Sequence, residues 1–311
     1  MGRAAPMPRA DQLSSGRPGD RYTVTMAFTA PPPKPVSPGL YLVATPIGNL
    51  RDITLRALDV LAAADLVLAE DTRVTARLLN AYGLRSKLAR YDEHVAATVE
   101  ARVLEALAEG QVIAQVSDAG TPLISDPGQS LARAAADAGF PVHPIPGASS
   151  VLAALSIAGL PTERFLFTGF LPPKSGARRA RLTELAATPA TLVLFETGPR
   201  LKASLDDMAA VFGPDRPAAV CRELTKLHEQ SVRGPLSNLV QDARLNAPRG
   251  EIVVVIGPGR AEAASADDAD AALRQALDRL SPADAASEVA RQLGLNRRDL
   301  YRRAIAMKSD G

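Results

Sequence analysis

Residues 112–128 read VIAQVSDAGTPLISDPG. The first five form a short, largely apolar run, which predicts a buried strand over Val112–Val116. The next twelve contain two aspartates, two glycines and two prolines, which is more than a plain connection requires. In open parallel sheets, ligands bind beyond the carboxyl ends of the strands. Because small residues let a ligand approach the backbone, and Asp118 or Asp126 can accept hydrogen bonds from a ribose or an amine, this stretch predicts a ligand-binding loop.

Two other loops follow predicted strands in the same way. Thr45–Asn49 follows a strand predicted over Leu40–Thr45, and residues 146–150 follow a strand predicted over Val142–Ile145. Ser149 can cap the helix that comes next. Each loop alone has a structural explanation, but three loops along one edge of a parallel sheet favour a shared pocket.

The alternation of strands and helices from Leu40 to residue 158 predicts parallel βαβ units, and a second strand–helix set from Phe165 to about residue 258 completes an α/β fold. A break near residues 159–164 separates two sets. We therefore predict a disordered, proline-rich tail over residues 1–38 and two α/β domains over 39–160 and 161–260, with a ligand between them. A linker and a helix-turn-helix-like segment, or a small helical cap, follow over residues 261–311.

Composition excludes several classes of protein and site. The chain has 311 residues and one cysteine, Cys221, which excludes a disulfide framework and a cysteine-based zinc site. The three histidines do not cluster at metal-ligand spacing, so no metal is expected. No apolar run approaches the roughly 18 residues that span a bilayer, and no secretory pattern opens the chain. A soluble, cytoplasmic protein without a membrane partner is expected.

Two charged clusters lie at predicted strand ends. Residues 70–73 read EDTR and residues 222–226 read RELTK. One interpretation is that Asp71 caps a helix and the other charges form local ion pairs. The other is that both clusters take part in a reaction. The sequence leaves the choice open.

Taken together, five motifs resemble the ribosomal RNA small subunit methyltransferase I family, which belongs to the tetrapyrrole-methylase fold superfamily. The motifs are TPIGNL at 45–50, AEDTR at 69–73, VSDAGTP at 116–122, ISDPG at 124–128 and RELTK at 222–226. They occur in the family's order over roughly residues 40–260. The resemblance implies two α/β domains of tetrapyrrole-methylase type with a cofactor cleft between them, plus a small C-terminal helical domain.

The resemblance also implies an activity. It is 2′-O-methylation of a cytidine ribose in 16S rRNA of the small ribosomal subunit, expected at cytidine 1402, by a homodimer that uses S-adenosylmethionine. Together with the shared pocket, it gives a set of expected cofactor contacts. These are Thr45, Pro46, Ser117, Asp118, Ala119, Gly120, Ile124, Ser125, Asp126, Pro146, Ala148, Ser149 and Pro258.

This chain departs from the family's usual pattern at two places. Asp92-Glu93-His94-Val95 stands where the family usually has His-Glu-His-Asn, and residues 196–200 read ETGPR where it usually has Glu-Ser-Pro-His-Arg. These changes argue against an essential role for the replaced His and Asn. Glu93, His94, Glu196 and Arg200 are retained and stay candidates for RNA or catalytic contact.

A ribose hydroxyl is a weak nucleophile, so a general base or a charge-stabilising group would help the transfer. The candidates are Glu70, Asp71 and Glu223. The segment Leu171–Arg181 is predicted to be a basic loop that contacts phosphates. Expected RNA contacts are Arg73, Lys174, Arg178, Arg179, Arg181, Arg200, Arg222 and Lys226.

Two alternatives remain at this point. One is a methyltransferase of the same fold that acts on a tetrapyrrole or another small molecule. The other is a nucleic-acid-binding regulator that uses residues 271–308.

Overall fold

The computed structural model describes residues 32, 34–92, 96–124, 129–259, 266–293 and 295–309. Every helix and strand among the described residues lies in the unit Pro35–Gly311. The predicted tail over residues 1–38 lies almost entirely outside the described residues. The predicted domain limits stay predictions.

The first sheet has five parallel strands in the order β3-β2-β4-β1-β5. They are β1 (Gly39–Val43), β2 (Leu66–Ala69), β3 (Leu88–Arg90), β4 (Val112–Val116) and β5 (Val142–Ile145). Val43 pairs with both Val116 and Ile145, so β1, β4 and β5 end level with one another. The three loops predicted to share a pocket therefore leave the sheet side by side.

Five helices follow the first-sheet strands and the first turn. They are α1 (Leu55–Ala63), α2 (Thr72–Ala81), α3 (Ala96–Ala108), α4 (Gln129–Asp137) and α5 (Ser150–Ala158). Apolar residues of α1 and α2 pack in one cluster with the sheet, and those of α3 and α4 pack in another. Helix α5 differs, because its Val151, Ala154 and Leu155 pack with residues of the second sheet. This helix joins the two sheets and fixes the cleft between them.

The second sheet has the order β6-β7-β10-β8-β9. Its strands are β6 (Phe165–Phe170), β7 (Thr191–Thr197), β8 (Pro217–Arg222), β9 (Gln230–Pro235) and β10 (Glu251–Ile256). Only β6 and β7 are parallel; β10 is antiparallel to β7 and β8, and β8 is antiparallel to β9. This sheet is therefore mixed; the prediction of parallel units concerned the first sheet, where it is confirmed. The segment 223–229 is too short for a parallel crossover, and β9 was not predicted.

The prediction of a basic loop over Leu171–Arg181 is wrong. Helix α6 begins at Ser175 and runs to Ala186, and it packs with α7 (Gly198–Phe212). Arg178 is buried, with 4% of its side chain exposed, and its Nε donates to Asp207 of α7 at 2.7 Å. Because the guanidinium is enclosed and paired, Arg178 does not reach an RNA phosphate, which corrects its predicted role.

After α8 (Leu236–Gln241) and β10, three helices end the chain. They are α9 (Ala266–Leu277), α10 (Pro282–Leu293) and α11 (Arg297–Ser309), and they bury a core of their own around Leu273, Val289 and Leu300. The composition of Ala261–Asp270, rich in Ala and Asp, predicts a linker over those residues, but α9 already begins at Ala266. Arg303 pairs with Asp270 at 2.6 Å, so this arginine ties α11 to α9.

Candidate functional site

A cleft opens where the loops of the first sheet face one end of the second. Strand β10 is antiparallel to β7, so Glu251 pairs with Thr197 and the start of β10 lies beside the end of β7. A cavity of about 300 Å³ lies here and is called the first cavity below. It is lined by Ile47, Ala119, Gly120, Thr121, Ile124, Ser149, Ser150, Val151, Phe170, Phe195, Glu196, Thr197, Cys221, Leu224, Gly250, Glu251, Ile252 and Val253.

Hydrogen bonds hold the three loops of the first sheet together. Thr45 and Gly120 exchange backbone hydrogen bonds of 2.9 and 3.0 Å. The buried Thr45 hydroxyl donates to the Ser117 carbonyl at 2.9 Å, and the Thr121 hydroxyl donates to the Ala148 carbonyl at 3.2 Å. These bonds join the loop after β1 to the loop after β4, and that loop to the one after β5. The shared wall that the sequence predicted is present.

A further hydrogen bond connects the loops of the two sheets. The Asn49 N–H donates to the Thr225 hydroxyl at 3.2 Å. Thr225 and Glu223 both have positive φ, at 66° and 50°, and so does Leu123, at 70°. Such backbone costs a non-glycine residue about 1–3 kcal/mol and is concentrated at functional sites. Strained residues on both sides of the cleft support its assignment as the functional site.

A second cavity of about 310 Å³ adjoins the first. Ile47, Ala119 and Glu251 line both. The remaining walls of the second cavity come from the loops after β1 and β4, from α2 and from the loop after β8. They are Thr45, Pro46, Gly48, Leu50, Val74, Thr75, Arg77, Leu78, Ser117, Asp118 and Lys226.

Most of the residues predicted to bind the cofactor line one of these cavities. Gly120, Ile124 and Ser149 line the first cavity, and Ala119 lines both. Thr45, Pro46, Ser117 and Asp118 line the second. Ser125 and Asp126 lie outside the described residues, as do Glu93 and His94.

Three predicted cofactor residues lie elsewhere. Pro146 and Ala148 are absent from both linings, and Ala148 takes part through its carbonyl only. Pro258 follows the carboxyl end of β10, whereas the cavity is lined by Glu251, Ile252 and Val253 at the start of that strand. The expectation for Pro258 came from the family resemblance alone, and Pro258 is absent from both linings.

Two of the three predicted general-base candidates, Asp71 and Glu223, form ion pairs. Asp71 caps α2 and accepts from the Arg73 N–H at 2.8 Å and from its guanidinium at 2.6 Å. The Arg73 side chain holds the pKa of Asp71 well below its usual range. Glu223 accepts from Lys226 at 2.8 Å, and this bond lowers its pKa. A carboxylate with a lowered pKa is a weak base, so the geometry favours the ion-pair interpretation for both.

Glu70, the third acid, is in a different setting. It lines a small pocket with Tyr91, Ser117 and Pro122, next to the second cavity. Neither of the two larger cavities includes it in its lining.

The predicted cations are scattered. Arg179 and Arg181 are exposed on α6 and paired with Asp207 and Glu184. Apart from the buried Arg178, the other five lie on different elements, and among them Lys226 is the one that lines a cavity. Arg73 pairs with Asp71, Arg200 lies 3.3 Å from the buried Glu196, Arg222 donates to the Arg249 carbonyl at 2.6 Å, and Lys174 is exposed beside α6.

Several lining residues were missed by the sequence reasoning. Phe170 and Phe195 form an edge-to-face pair with ring centroids 5.5 Å apart, and both line the first cavity. Their position at the ends of two predicted strands was an available signal. Arg77 and Gly250 had none, because each depends on how α2 and β10 are placed against other elements.

Gly250 allows Glu223 to lie across the start of β10. Its φ is 98°, and an added Cβ would lie 2.3 Å from Glu223 Oε1. We expect Gly250→Ala to lower the free energy of unfolding by about 2–3 kcal/mol, as positive-φ strain and a steric clash add. Gly213→Ala is the matched control, with φ 93° and no atom within 4 Å. Urea unfolding gives the loss of unfolding free energy for each variant, and the difference between the two losses is the cost of the clash. Equal losses would contradict the expected clash.

In the described parts of the chain, no group of three or more His, Cys, Asp or Glu could hold a metal ion. No helix in those parts is long and apolar enough to cross a membrane.

Comparisons with known proteins agree with this architecture. The profile of the tetrapyrrole (corrin/porphyrin) methylases matches residues 39–240, and that of the RsmI C-terminal HTH domain matches residues 263–308. Uroporphyrin-III-C-methyltransferase from Thermus thermophilus superposes with a TM-score of 0.51 at 26% identity, covering 70% of this chain and 93% of that one. A cobalt precorrin-4 methyltransferase gives 0.54 at 21% identity, covering 70% and 94%, and bears on the fold alone. The predicted tetrapyrrole-methylase fold is confirmed.

Two curated relatives match nearly end to end. Ribosomal RNA small subunit methyltransferase I of Mesorhizobium japonicum is 49% identical over 278 residues, which cover 89% of this chain and 95% of the relative. The protein of that name from Erythrobacter litoralis is 50% identical over 276 residues, which cover 89% and 98%. Within the tetrapyrrole methylases, this chain therefore belongs to the ribosomal RNA small subunit methyltransferase I family.

Proposed function

We propose that this protein methylates the 2′-oxygen of a cytidine ribose in 16S rRNA, expected at cytidine 1402. At the coarser level it is a methyltransferase that acts on ribosomal RNA of the small subunit and uses S-adenosylmethionine, in keeping with its family. The observation that carries the proposal is the cleft, in which a largely apolar cavity adjoins a cavity that bears cations.

The first cavity fits the cofactor. Its volume of about 300 Å³ lies at the low end of the range for small-molecule sites. Phe170 and Phe195 offer apolar walls to an adenine ring, and the hydroxyl of Ser150 can bond a ribose. The carboxylates in the lining, Glu196 and Glu251, favour a ligand that carries a sulfonium and an ammonium.

The contribution of the protein to the reaction is mainly alignment. S-adenosylmethionine, when bound, supplies a methyl group that its sulfonium has already activated. The remaining requirement is to hold the ribose oxygen against that methyl, which can contribute several kcal/mol, about 7–11 in the best cases. Ile47, Ala119 and Glu251 line both cavities and so are positioned to hold two reactants against each other.

The test uses 30S subunits from cells that lack this gene. The purified protein is incubated with them and with methyl-labelled S-adenosylmethionine, and the labelled nucleotide is mapped. We expect label on the ribose 2′-oxygen of one 16S cytidine. Label on a base would contradict the proposed acceptor atom. Unlabelled RNA, with cofactor binding demonstrated separately, would favour the small-molecule methyltransferase instead.

The proposed general base is tested by substitution. We expect Asp71→Ala and Glu223→Ala to keep kcat within about tenfold of the wild type, because both pKa values are lowered and a true general base contributes about a hundredfold or more. Methyl incorporation at saturating substrate gives kcat, and calorimetry verifies cofactor binding. If either variant lost a hundredfold while binding cofactor, that residue would be the base. Glu70→Ala, measured in parallel, tests the third candidate.

We also propose a cytoplasmic homodimer in which residues 39–160, 161–260 and 261–311 act as separate domains. The family resemblance supports the dimer, and the two separate sheets and the core of α9, α10 and α11 support the division. Light scattering of the purified chain measures the oligomeric state, and a monomeric mass at working concentration would contradict the dimer.

A further inference from the structure

The two cavities of the cleft differ in charge. The charged residues of the first cavity's lining are Glu196 and Glu251, both acidic. The second cavity's lining adds two cations, Arg77 and Lys226, to the carboxylates of Asp118 and Glu251. A phosphodiester carries a negative charge, so it is favoured by the second cavity, whose lining contains cations, over the first, whose lining contains none.

The two cations of the second cavity are not equivalent. Lys226 lies 2.8 Å from Glu223 and 3.1 Å from Glu251, and only 27% of its side chain is exposed. Its charge is offset by two carboxylates. Arg77 is exposed on α2 and forms no ion pair or hydrogen bond with a described residue. Arg77 is therefore the cation of this lining that is available to an outside anion.

Arginine suits this role chemically. Its guanidinium is planar and always charged, and it bonds two phosphate oxygens at once. One helical turn earlier, Arg73 is held by Asp71 at 2.6 Å. The sequence predicted Arg73 as an RNA contact. In the structure Arg73 is paired with Asp71, whereas Arg77 lies free at the wall of the second cavity.

We propose that the second cavity receives the target nucleotide of single-stranded or unstacked RNA, and that Arg77 binds a phosphate of that nucleotide. The inference rests on the proposed function, since it names the substrate subsite of the same cleft. Enzymes that act on a nucleotide commonly take it out of the stack into a pocket. Thr45, Pro46, Ser117 and Asp118, which the resemblance implied as cofactor contacts, then face the nucleotide instead. The reacting oxygen meets the first cavity at Ile47 and Ala119, which line both cavities.

The test compares Arg77→Ala with Arg77→Lys and with Arg133→Ala. Arg133 lies on α4, its side chain is 83% exposed, and it belongs to neither cavity lining. Three quantities are measured on each protein: KM and kcat for 30S subunits from cells lacking the gene, filter-binding affinity for the same subunits across a salt series, and calorimetric affinity for S-adenosylmethionine.

For Arg77→Ala we expect KM and the dissociation constant for 30S subunits to rise about tenfold, as the loss of one charged hydrogen-bonding group implies. The slope of log affinity against log salt should fall by about one. Affinity for S-adenosylmethionine should match the wild type, which also shows that the variant is folded. Arg77→Lys should recover part of the loss, and Arg133→Ala should behave as the wild type.

Two results would overturn the inference. If Arg77→Ala bound 30S subunits as the wild type does, Arg77 would hold no phosphate. If it lost affinity for S-adenosylmethionine instead, Arg77 would bind the carboxylate of the cofactor, and the second cavity would belong to the cofactor. Failure of the wild-type protein to methylate 30S subunits is a separate result that tells against the proposed function itself.

Discussion

Asp207→Ala is expected to lower the free energy of unfolding by about 3–5 kcal/mol, because it leaves a buried guanidinium without its partner. Asp207 accepts from Arg178 at 2.7 Å, from Arg179 at 2.5 Å and from Ser175 at 3.0 Å. The side chains of Asp207 and Arg178 are each 4% exposed. Urea unfolding followed by circular dichroism measures the loss.

The neighbouring residue provides the control for this prediction. Asp206 is 48% exposed and lies 3.9 Å from Lys202, so Asp206→Ala should change stability by less than about 1 kcal/mol. If both variants lost the same free energy of unfolding, the buried pair of Asp207 and Arg178 would stabilise the protein no more than an exposed carboxylate does.

The same pair predicts a pH dependence. Burial by itself raises the pKa of Asp207, but the guanidinium groups of Arg179 and Arg178 outweigh it and the net pKa is lowered. A lowered folded-state pKa contributes stability that is complete above the unfolded value of about 3.9 and disappears as pH falls through the folded value. The stability gap between wild type and Asp207→Ala should therefore be constant near neutral pH and narrow below pH 4 or so.

Gly198→Ala is expected to cost about 3 kcal/mol or more, through overpacking against backbone. Gly198 begins α7, and an added Cβ would lie 1.6 Å from the Pro248 carbonyl oxygen. Since a carbonyl on a second segment cannot rotate away as a side chain can, either α7 or the segment before β10 must move. Thermal and urea unfolding would report the loss.

Gly176→Ala is the matched control for this variant. Gly176 is also near the start of a helix, α6, but an added Cβ there would meet no atom within 4 Å. It should be neutral or stabilise the protein by up to about 1 kcal/mol, because alanine restricts the unfolded chain. A Gly198→Ala variant as stable as Gly176→Ala would show that the close approach to Pro248 is not required.

The sequence was sufficient to predict most strands of both sheets, but it missed β3 in the first sheet and β9 in the second. Val112–Val116 and Val142–Ile145 have the bounds expected of them, since buried parallel strands are apolar and end at glycine- or proline-containing turns. The second sheet reverses direction at β9, which reads QSVRGP and is only partly buried. An edge strand of this composition has no clear apolar signal, so β9 was not predicted. Without β9, the strand directions in this sheet, including the antiparallel pairing of β10, could not be predicted from the sequence.

The site was predictable to the same extent. Loops after β1, β4 and β5 were identified because small and polar residues follow apolar strands, and the expected Ser149 cap of α5 is present, with Oγ accepting from the Leu152 N–H at 3.4 Å. Pro258, expected from the family resemblance, is absent from both cavity linings. Arg178 was misassigned because a buried arginine and a solvated one look alike in sequence. The position of Arg77 at the cavity wall could not be predicted, because it depends on how α2 packs against the cleft.

The hydrogen bond from Asn49 to Thr225 has a consequence for the order of events during synthesis. Its partners are 176 residues apart in the chain. At about 5–20 residues per second, a translating ribosome makes Thr225 roughly 9–35 s after Asn49. Strands β1 to β5 are all complete by Ile145, so the first sheet can pair while the opposite wall of the cleft does not yet exist. A nascent chain therefore has half a binding cleft and stays inactive until the start of β10 has emerged.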